Sequence, residues 1–300
     1  MDCANAIETR GLAKIFGEIT AVADLSLSVA GGEIFGFLGP NGAGKTTSVK
    51  MLTGLIRPSH GSGTLLGAPL GDQKTRSKLG YLPELFRYQE WLSGREVLRF
   101  HAHLIGLHNA QREIDRVLDL AALRERGGDR VGTYSKGMQQ RLGLAVALLG
   151  EPDLVILDEP TSALDPIGRH EVRQILRTLK AQGTTVFLNS HLLTEVEQVC
   201  DRIAIVLRGR IVAQGTIAEI IGIQDVVRVR AQSERELQPV LERFGTVSVE
   251  GDAFLVATAH ARIPELVQTL VQTGAQIFAI EPIEATLEDR FLEITGTPQP

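Results

Sequence analysis

Residues 39–46 read Gly-Pro-Asn-Gly-Ala-Gly-Lys-Thr, a spacing of glycines, cation and hydroxyl that suits the grip of phosphate. In the pattern G-x-x-x-x-G-K-[ST], Gly39, Gly42 and Gly44 permit positive φ, so backbone N–H groups can turn inward around an anion. Pro40, Asn41 and Ala43 fill the loop between them. Lys45 can reach β- and γ-phosphates, and Thr46, followed by Thr47, offers a hydroxyl to Mg²⁺. A second group lies far along the chain, where four aliphatics, Leu154-Val155-Ile156-Leu157, precede Asp158 and Glu159. Adjacent carboxylates at the end of a buried strand are costly unless something uses them. Asp158 is placed to hold Mg²⁺ through water, and Glu159 to polarise an attacking water. About twenty residues earlier, Ser135 opens a helix whose free N–H groups and positive dipole end suit a phosphate. These groups together predict a nucleoside triphosphate site.

The elements that must position them are legible from pattern. Ile34–Leu38 reads as a buried strand before the loop, and residues 47–55 read as a helix whose N-terminus faces the anion. Residues 154–157, bounded by Pro152 and Pro160, suit the centre of a parallel sheet, and ligands bind at the ends of such strands. The helix from Ser135 places Met138, Leu142, Val146 and Leu149 on one face and stops at Gly150-Glu151-Pro152. Residues 6–30 read as antiparallel strands, with Leu25, Leu27 and Val29 alternating on one face. Residues 85–150 read mainly as helices, including 96–104 and 113–120.

This combination resembles the ATP-binding cassette (ABC) family over roughly residues 6–220. On that resemblance, Tyr134-Ser135-Lys136-Gly137-Met138-Gln139-Gln140-Arg141 is the signature sequence, and residues 39–46 are the Walker A loop. Phe16 matches the aromatic that stacks on adenine, Ser162-Ala163-Leu164-Asp165 matches the D-loop, and His191 matches the histidine that contacts the γ-phosphate. Two positions depart from the family. Glu84 ends a segment, Gly80-Tyr81-Leu82-Pro83-Glu84, where glutamine is usual, and it offers oxygen to Mg²⁺ and water as a charge. Lys136 stands where glycine is usual, while Ser135 and Gly137 are retained. The resemblance implies an α/β P-loop NTPase fold with antiparallel and helical subdomains, and ATP with Mg²⁺ as ligands. It further implies a head-to-tail dimer, each ATP lying between one chain's Walker A loop and the other's signature.

Composition fits an ATPase that does not itself enter a membrane. The longest aliphatic runs fall far short of the roughly 18–20 residues needed to span a bilayer. The first five residues carry an acid and no signal-peptide pattern, and two cysteines, Cys3 and Cys200, imply no disulfide framework. Net charge is −5. Residues 222–300 hold six Arg and twelve Asp or Glu, a balance that disfavours nucleic acid as a partner. His101, His103 and His108 lack acidic or Cys partners at ligand spacing, which argues against a metal site.

Residues 1–221 are expected to form the nucleotide-binding domain, with 85–150 as its helical subdomain, and 222–300 a small accessory domain. The second reads as strand 226–231, helix 234–244, strands 247–249 and 253–258, helix 263–273 and strand 276–280. That β-α-β-β-α-β order suggests a ferredoxin-like α+β fold. A last helix, 286–295, carries Leu287-Glu288-Asp289-Arg290-Phe291-Leu292. This tail is similar to ATPase subunits paired with ABC-2-type permeases, mostly exporters. The expectation is an ATP-hydrolysing exporter subunit, cytoplasmic and held on the inner face of the cell membrane by a polytopic permease. The alternative is a soluble ABC ATPase acting on a ribosome, nucleic acid or assembly complex. Phe86, Tyr88 and Trp91, at the entry to the helical subdomain, are either a protein contact or core.

Overall fold

The computed structural model describes residues 5–162, 164–222, 225–233, 236–283 and 285–296. Ala163 of the D-loop motif, Glu234 of the expected 234–244 helix, and Cys3 lie outside them. The chain forms two compact units: residues 5–220 with 291–296, and residues 221–290. The expectation had placed residues 291–296 with the second unit.

The first unit opens with a long hairpin, β1 (Asn5–Phe16) and β2 (Ile19–Ala30), then β3 (Ile34–Leu38) and α1 (Lys45–Leu52). β4 (His60–Leu65), β5 (Ala68–Pro69), α2 (Gln73–Arg76) and β6 (Leu79–Leu82) follow, then the helices α3 (Gly94–Leu104), α4 (Gln111–Leu120) and α5 (Lys136–Ala147). The chain returns through β7 (Leu154–Asp158), α6 (Pro166–Ala181), β8 (Thr185–Asn189), α7 (Leu193–Val199), β9 (Arg202–Leu207), β10 (Arg210–Thr216) and α8 (Ile217–Ile221).

Ten strands share one sheet in the order β5-β4-β1-β2-β10-β9-β3-β8-β7-β6. β9, β3, β8, β7 and β6 run parallel, while β1, β2 and β4 pair antiparallel. A single bridge, Arg210 to Asp24, joins the two portions. All five residues of β3, β7 and β8 are buried, the signature of parallel strands covered on both faces. Phe35, Phe37 and Phe187 stack through their centre, with ring centroids 5.9 and 5.2 Å apart.

Local rules explain the element ends. α3 begins with a reciprocal cap: Ser93 Oγ accepts from Glu96 N–H and the Glu96 carboxylate accepts from Ser93 N–H. α5 is not a narrow amphipathic stripe. Gln140, Leu142, Gly143, Leu144, Ala145 and Ala147 are buried while Met138 and Val146 are half-buried, because α5 packs on β6, α3 and α4 together. Phe86 fills the space above Gly143, where an added Cβ would lie 2.5 Å from the ring.

The second unit is a four-stranded antiparallel sheet ordered β12-β13-β11-β14. Its elements are β11 (Val226–Gln232), α9 (Gln238–Leu241), β12 (Val247–Glu250), β13 (Ala253–Ala257), α10 (Ile263–Gln272) and β14 (Gln276–Ile283). Val227, Val229, Leu241, Val256, Leu266 and Leu270 form its core. α9 is shorter than expected because Pro239, which has no N–H and clashes one turn back, is tolerated only in a first turn. A final helix, α11 (Leu287–Thr295), is capped by Thr286 and Asp289.

Candidate active site

At the carboxyl ends of the parallel strands lies a cavity of 660 Å³, lined by residues 19–21, 39–42, 44–47, Glu84, Glu159, Asn189, His191 and Phe291. The loop and the two downstream motifs, more than a hundred residues apart in sequence, thus converge. Gly42 and Gly44 have φ of 79° and 99°, the left-handed region open to glycine. Gly39 does not, contrary to expectation. It is required for closeness: a Cβ there would sit 2.4 Å from the Val206 carbonyl oxygen on β9. α1 starts at Lys45, so the first helical N–H groups belong to the loop itself. Lys45 Nζ donates to the carbonyls of Gly39 (2.6 Å) and Pro40 (3.2 Å). Burial pulls its ammonium below the usual lysine range, and the charges of Glu159, Asp158 and Glu84 push the other way.

The acidic side is a relay of contacts from β7 to β8. Asp158, 1% exposed, accepts from Asn189 Nδ2 at 2.5 Å, and Asn189 lines the cavity. Burial raises the Asp158 carboxyl above the ordinary range; Glu84 and Glu159 add to this, while the Asn189 bond and Lys45 oppose it. Glu159 has a φ of 55°, a strained conformation for a residue with a side chain. Its N–H donates to the Asn189 carbonyl, and its own carbonyl accepts from Ser162 Oγ and from Gln140 Nε2 of α5. These bonds hold the Glu159 backbone in place. His191 Nδ1 lies 2.7 Å from Glu159 Oε2.

Asp158 Oδ2 is buried with no hydrogen-bond partner. An ionised oxygen left in this way is expensive, and it suits a cation. Asn189, the partner of Asp158, lines the cavity with Thr46 and Glu84, and oxygen donors of these kinds are the ones Mg²⁺ prefers.

The remaining candidate residues lie elsewhere. Ser135, Lys136 and Gly137 line a separate cavity of 360 Å³ with Asp165, Arg141 and Glu171. There Ser135 Oγ accepts from Met138 N–H and Asp165 Oδ1 accepts from Gly168 N–H, each capping a helix. Gln139 turns back to the Tyr134 carbonyl. Phe16 stands at the hairpin tip, 49% exposed, with Lys14 Nζ 4.9 Å from its ring centroid. Ala43 is buried behind the loop. Asn189, beside His191 at a strand end, and Gln140 of the signature helix have no individual role legible from the sequence; the structure gives them Asp158 and the Glu159 carbonyl as partners. The sequence places Phe291 in the Leu287–Leu292 tail and on one face of the last helix but gives it no part in this cavity, where it lies.

The aromatic cluster divides. Phe86 and Tyr88 pack together, with Tyr88 against His101, whereas Trp91 is 71% exposed. His103 and His108 face each other, ring centroids 6.0 Å apart. Among the described residues, no cluster of His, Cys, Asp and Glu has metal-binding geometry.

The ABC transporter family profile matches residues 22–162. An uncharacterized ABC transporter ATP-binding protein of Synechocystis sp. is 40% identical over 300 residues, covering 96% of this chain and 84% of its own. The chain belongs to the ABC transporter ATP-binding proteins. It is also similar to the Nod factor export ATP-binding protein I of Rhizobium sp., 37% identical over 97% of both chains. Among solved structures, an ATP-binding subunit of an ABC transporter superposes with a TM-score of 0.66 at 33% identity, over 72% of this chain and 91% of that one. As an ABC ATP-binding subunit, the chain is an ATPase that powers transport, which sets aside the soluble alternative. Among the described residues, no helix is long and apolar enough to cross a membrane.

Proposed function

We propose that the chain energises an exporter, as one of two identical ATPase subunits bound to a separate ABC-2-type permease on the cytoplasmic face of the cell membrane. The observation that carries the dimer is the separation of cavities. The loop, Glu159 and His191 share one, while the capped helix start at Ser135 lines another. A second copy, arranged head to tail, brings its Ser135–Lys136–Gly137 helix start to the open side of the first cavity.

In that arrangement residues 39–47 wrap the phosphates and Lys45 neutralises the β- and γ-phosphates. Thr46, Asp158 and Glu84 would hold Mg²⁺, which would supply charge to offset that of the phosphate oxygens. Glu159 accepts a hydrogen bond from the attacking water, and His191, bonded to Glu159, orients it and reaches the γ-phosphate. Water oxygen bonds to the γ-phosphorus as the bond to the β–γ bridging oxygen breaks and a water proton passes to the Glu159 carboxylate, leaving ADP and phosphate. Met138 and Gln139 complete the signature, Asp165 of the D-loop faces the partner, and Phe16 stacks on adenine. Positioning and charge neutralisation carry the rate.

Export is favoured by the relative named for Nod factor export and by the Leu287–Leu292 tail. The second unit's strand order, the first strand flanked by the third and fourth with two intervening helices, supports a ferredoxin-like fold. Its plainest role is dimerisation or permease docking. Leu85 and Trp91, 88% and 71% exposed at the entry to the helical subdomain, suit an apolar contact with the permease. A tagged Glu159→Gln chain, drawn from detergent-solubilised native membranes with Mg-ATP, should bring down a polytopic membrane protein. Recovery of soluble partners alone would refute the permease assignment.

A further inference from the structure

The phosphate end of the nucleotide cavity is built of backbone amides, Lys45 and carboxylates, none of which suits a flat heteroaromatic base. The base needs apolar walls and a π face. Residues 19–21 form one side, anchored beside the loop: an added Cβ on Gly44 would meet the Ala21 carbonyl at 2.4 Å. Phe16 pairs directly across the hairpin with Ile19, which lines the cavity, and paired residues share a face. Lys14 already covers one face of that ring, 4.9 Å from the centroid. Of the described residues lining the cavity, two carry aromatic rings: the His191 imidazole, held against Glu159 at the phosphate end, and the phenyl ring of Phe291.

Residues 291–296 group with the first unit, and Phe291 is half-buried there. Its helix is fixed at the start by a reciprocal cap: Thr286 Oγ accepts from Asp289 N–H, and the Asp289 carboxylate accepts from both Thr286 N–H and Thr286 Oγ–H. The ring is carried on a helix with a capped start. A core residue would have no reason to end at the rim of a polar cavity.

We propose that Phe291 is a nucleobase-contacting residue, giving the bound ATP a second aromatic wall alongside the hairpin tip of Phe16 and Ile19. This rests on the phosphate-loop reading, and a test must separate the two. Base–aromatic stacking makes a measurable difference to binding, and it acts on the base and not on the phosphates.

The experiment is calorimetric titration of the full chain with ADP and, separately, with inorganic pyrophosphate, neither of which turns over. Phe291→Leu keeps the apolar bulk and removes the π face; Phe291→Trp keeps both. The leucine variant should bind ADP about five- to hundredfold more weakly while binding pyrophosphate as the unaltered chain does. The tryptophan variant should retain ADP affinity. Unchanged or tighter ADP binding by Phe291→Leu would overturn the proposal, the latter by showing that the ring competes with the base. Equal weakening of both ligands would also overturn it, because the ring would then be supporting the loop. Failure of the unaltered chain to bind pyrophosphate or ADP would instead strike the phosphate-loop reading beneath it.

Discussion

Gly39→Ala separates two reasons for a glycine at the head of the phosphate loop. The new Cβ would lie 2.4 Å from the Val206 carbonyl oxygen and 3.3 Å from its carbon, whereas ordinary contact begins at 3.4 Å. The end of β3 must therefore move about 1 Å away from β9, or β9 must yield, and overpacking of this kind costs about 1–3 kcal/mol. In a unit of this size about 2 kcal/mol lowers Tm by about 4–8 °C. A displacement of about 1 Å in the phosphate grip is also enough to lower kcat/KM about 100-fold. Gly39→Asn is the discriminating partner. Asparagine tolerates positive φ, so it would rescue a conformational requirement but must fail here as alanine does. Differential scanning fluorimetry and steady-state ATPase assays read both effects. A Gly39→Ala chain with unaltered Tm and turnover would refute the reasoning, and so would rescue by asparagine.

Other outcomes follow from the acidic side. The Asp158 carboxyl is raised by burial above its ordinary 3.8, so from 3.8 up to its raised folded value the folded chain binds more protons than the unfolded one. Stability of the nucleotide-free chain therefore falls as pH rises through that window. Asp158→Asn should flatten this slope in melting curves above pH 3.8 and abolish added stability from Mg-ATP; an unchanged slope would contradict the assignment. His191→Ala removes the 2.7 Å contact to Glu159. It should lower kcat about 100-fold with ATP affinity nearly preserved, and a loss confined to affinity would count against a role in the hydrolytic step.

The parallel core was legible because burial on both faces forces uninterrupted apolar runs, as in β3 and in residues 154–157 of β7. The phosphate loop and the paired carboxylates were legible because their chemistry demands particular residue types close together in sequence. Gly39 was assigned the wrong reason because its constraint comes from Val206, across the sheet. The stripe drawn on α5 failed for a similar cause: three neighbours bury most of its circumference. Within the described part of the expected 234–244 helix, only Gln238–Leu241 is helical, with Pro239 in its first turn. The convergence of Asn189 with Asp158, and of Phe291 with the loop, depends on tertiary placement that no local pattern encodes.

The central claim is that ATP completes its site between two copies of the chain, with Glu159 acting on the water. Sedimentation of the Glu159→Gln chain with Mg-ATP, paired with a count of bound nucleotide, tests it most directly. The account predicts a stable dimer at twice the chain mass, holding two ATP molecules and hydrolysing neither. A monomer that holds ATP, or a variant that hydrolyses at the unaltered rate, would contradict it.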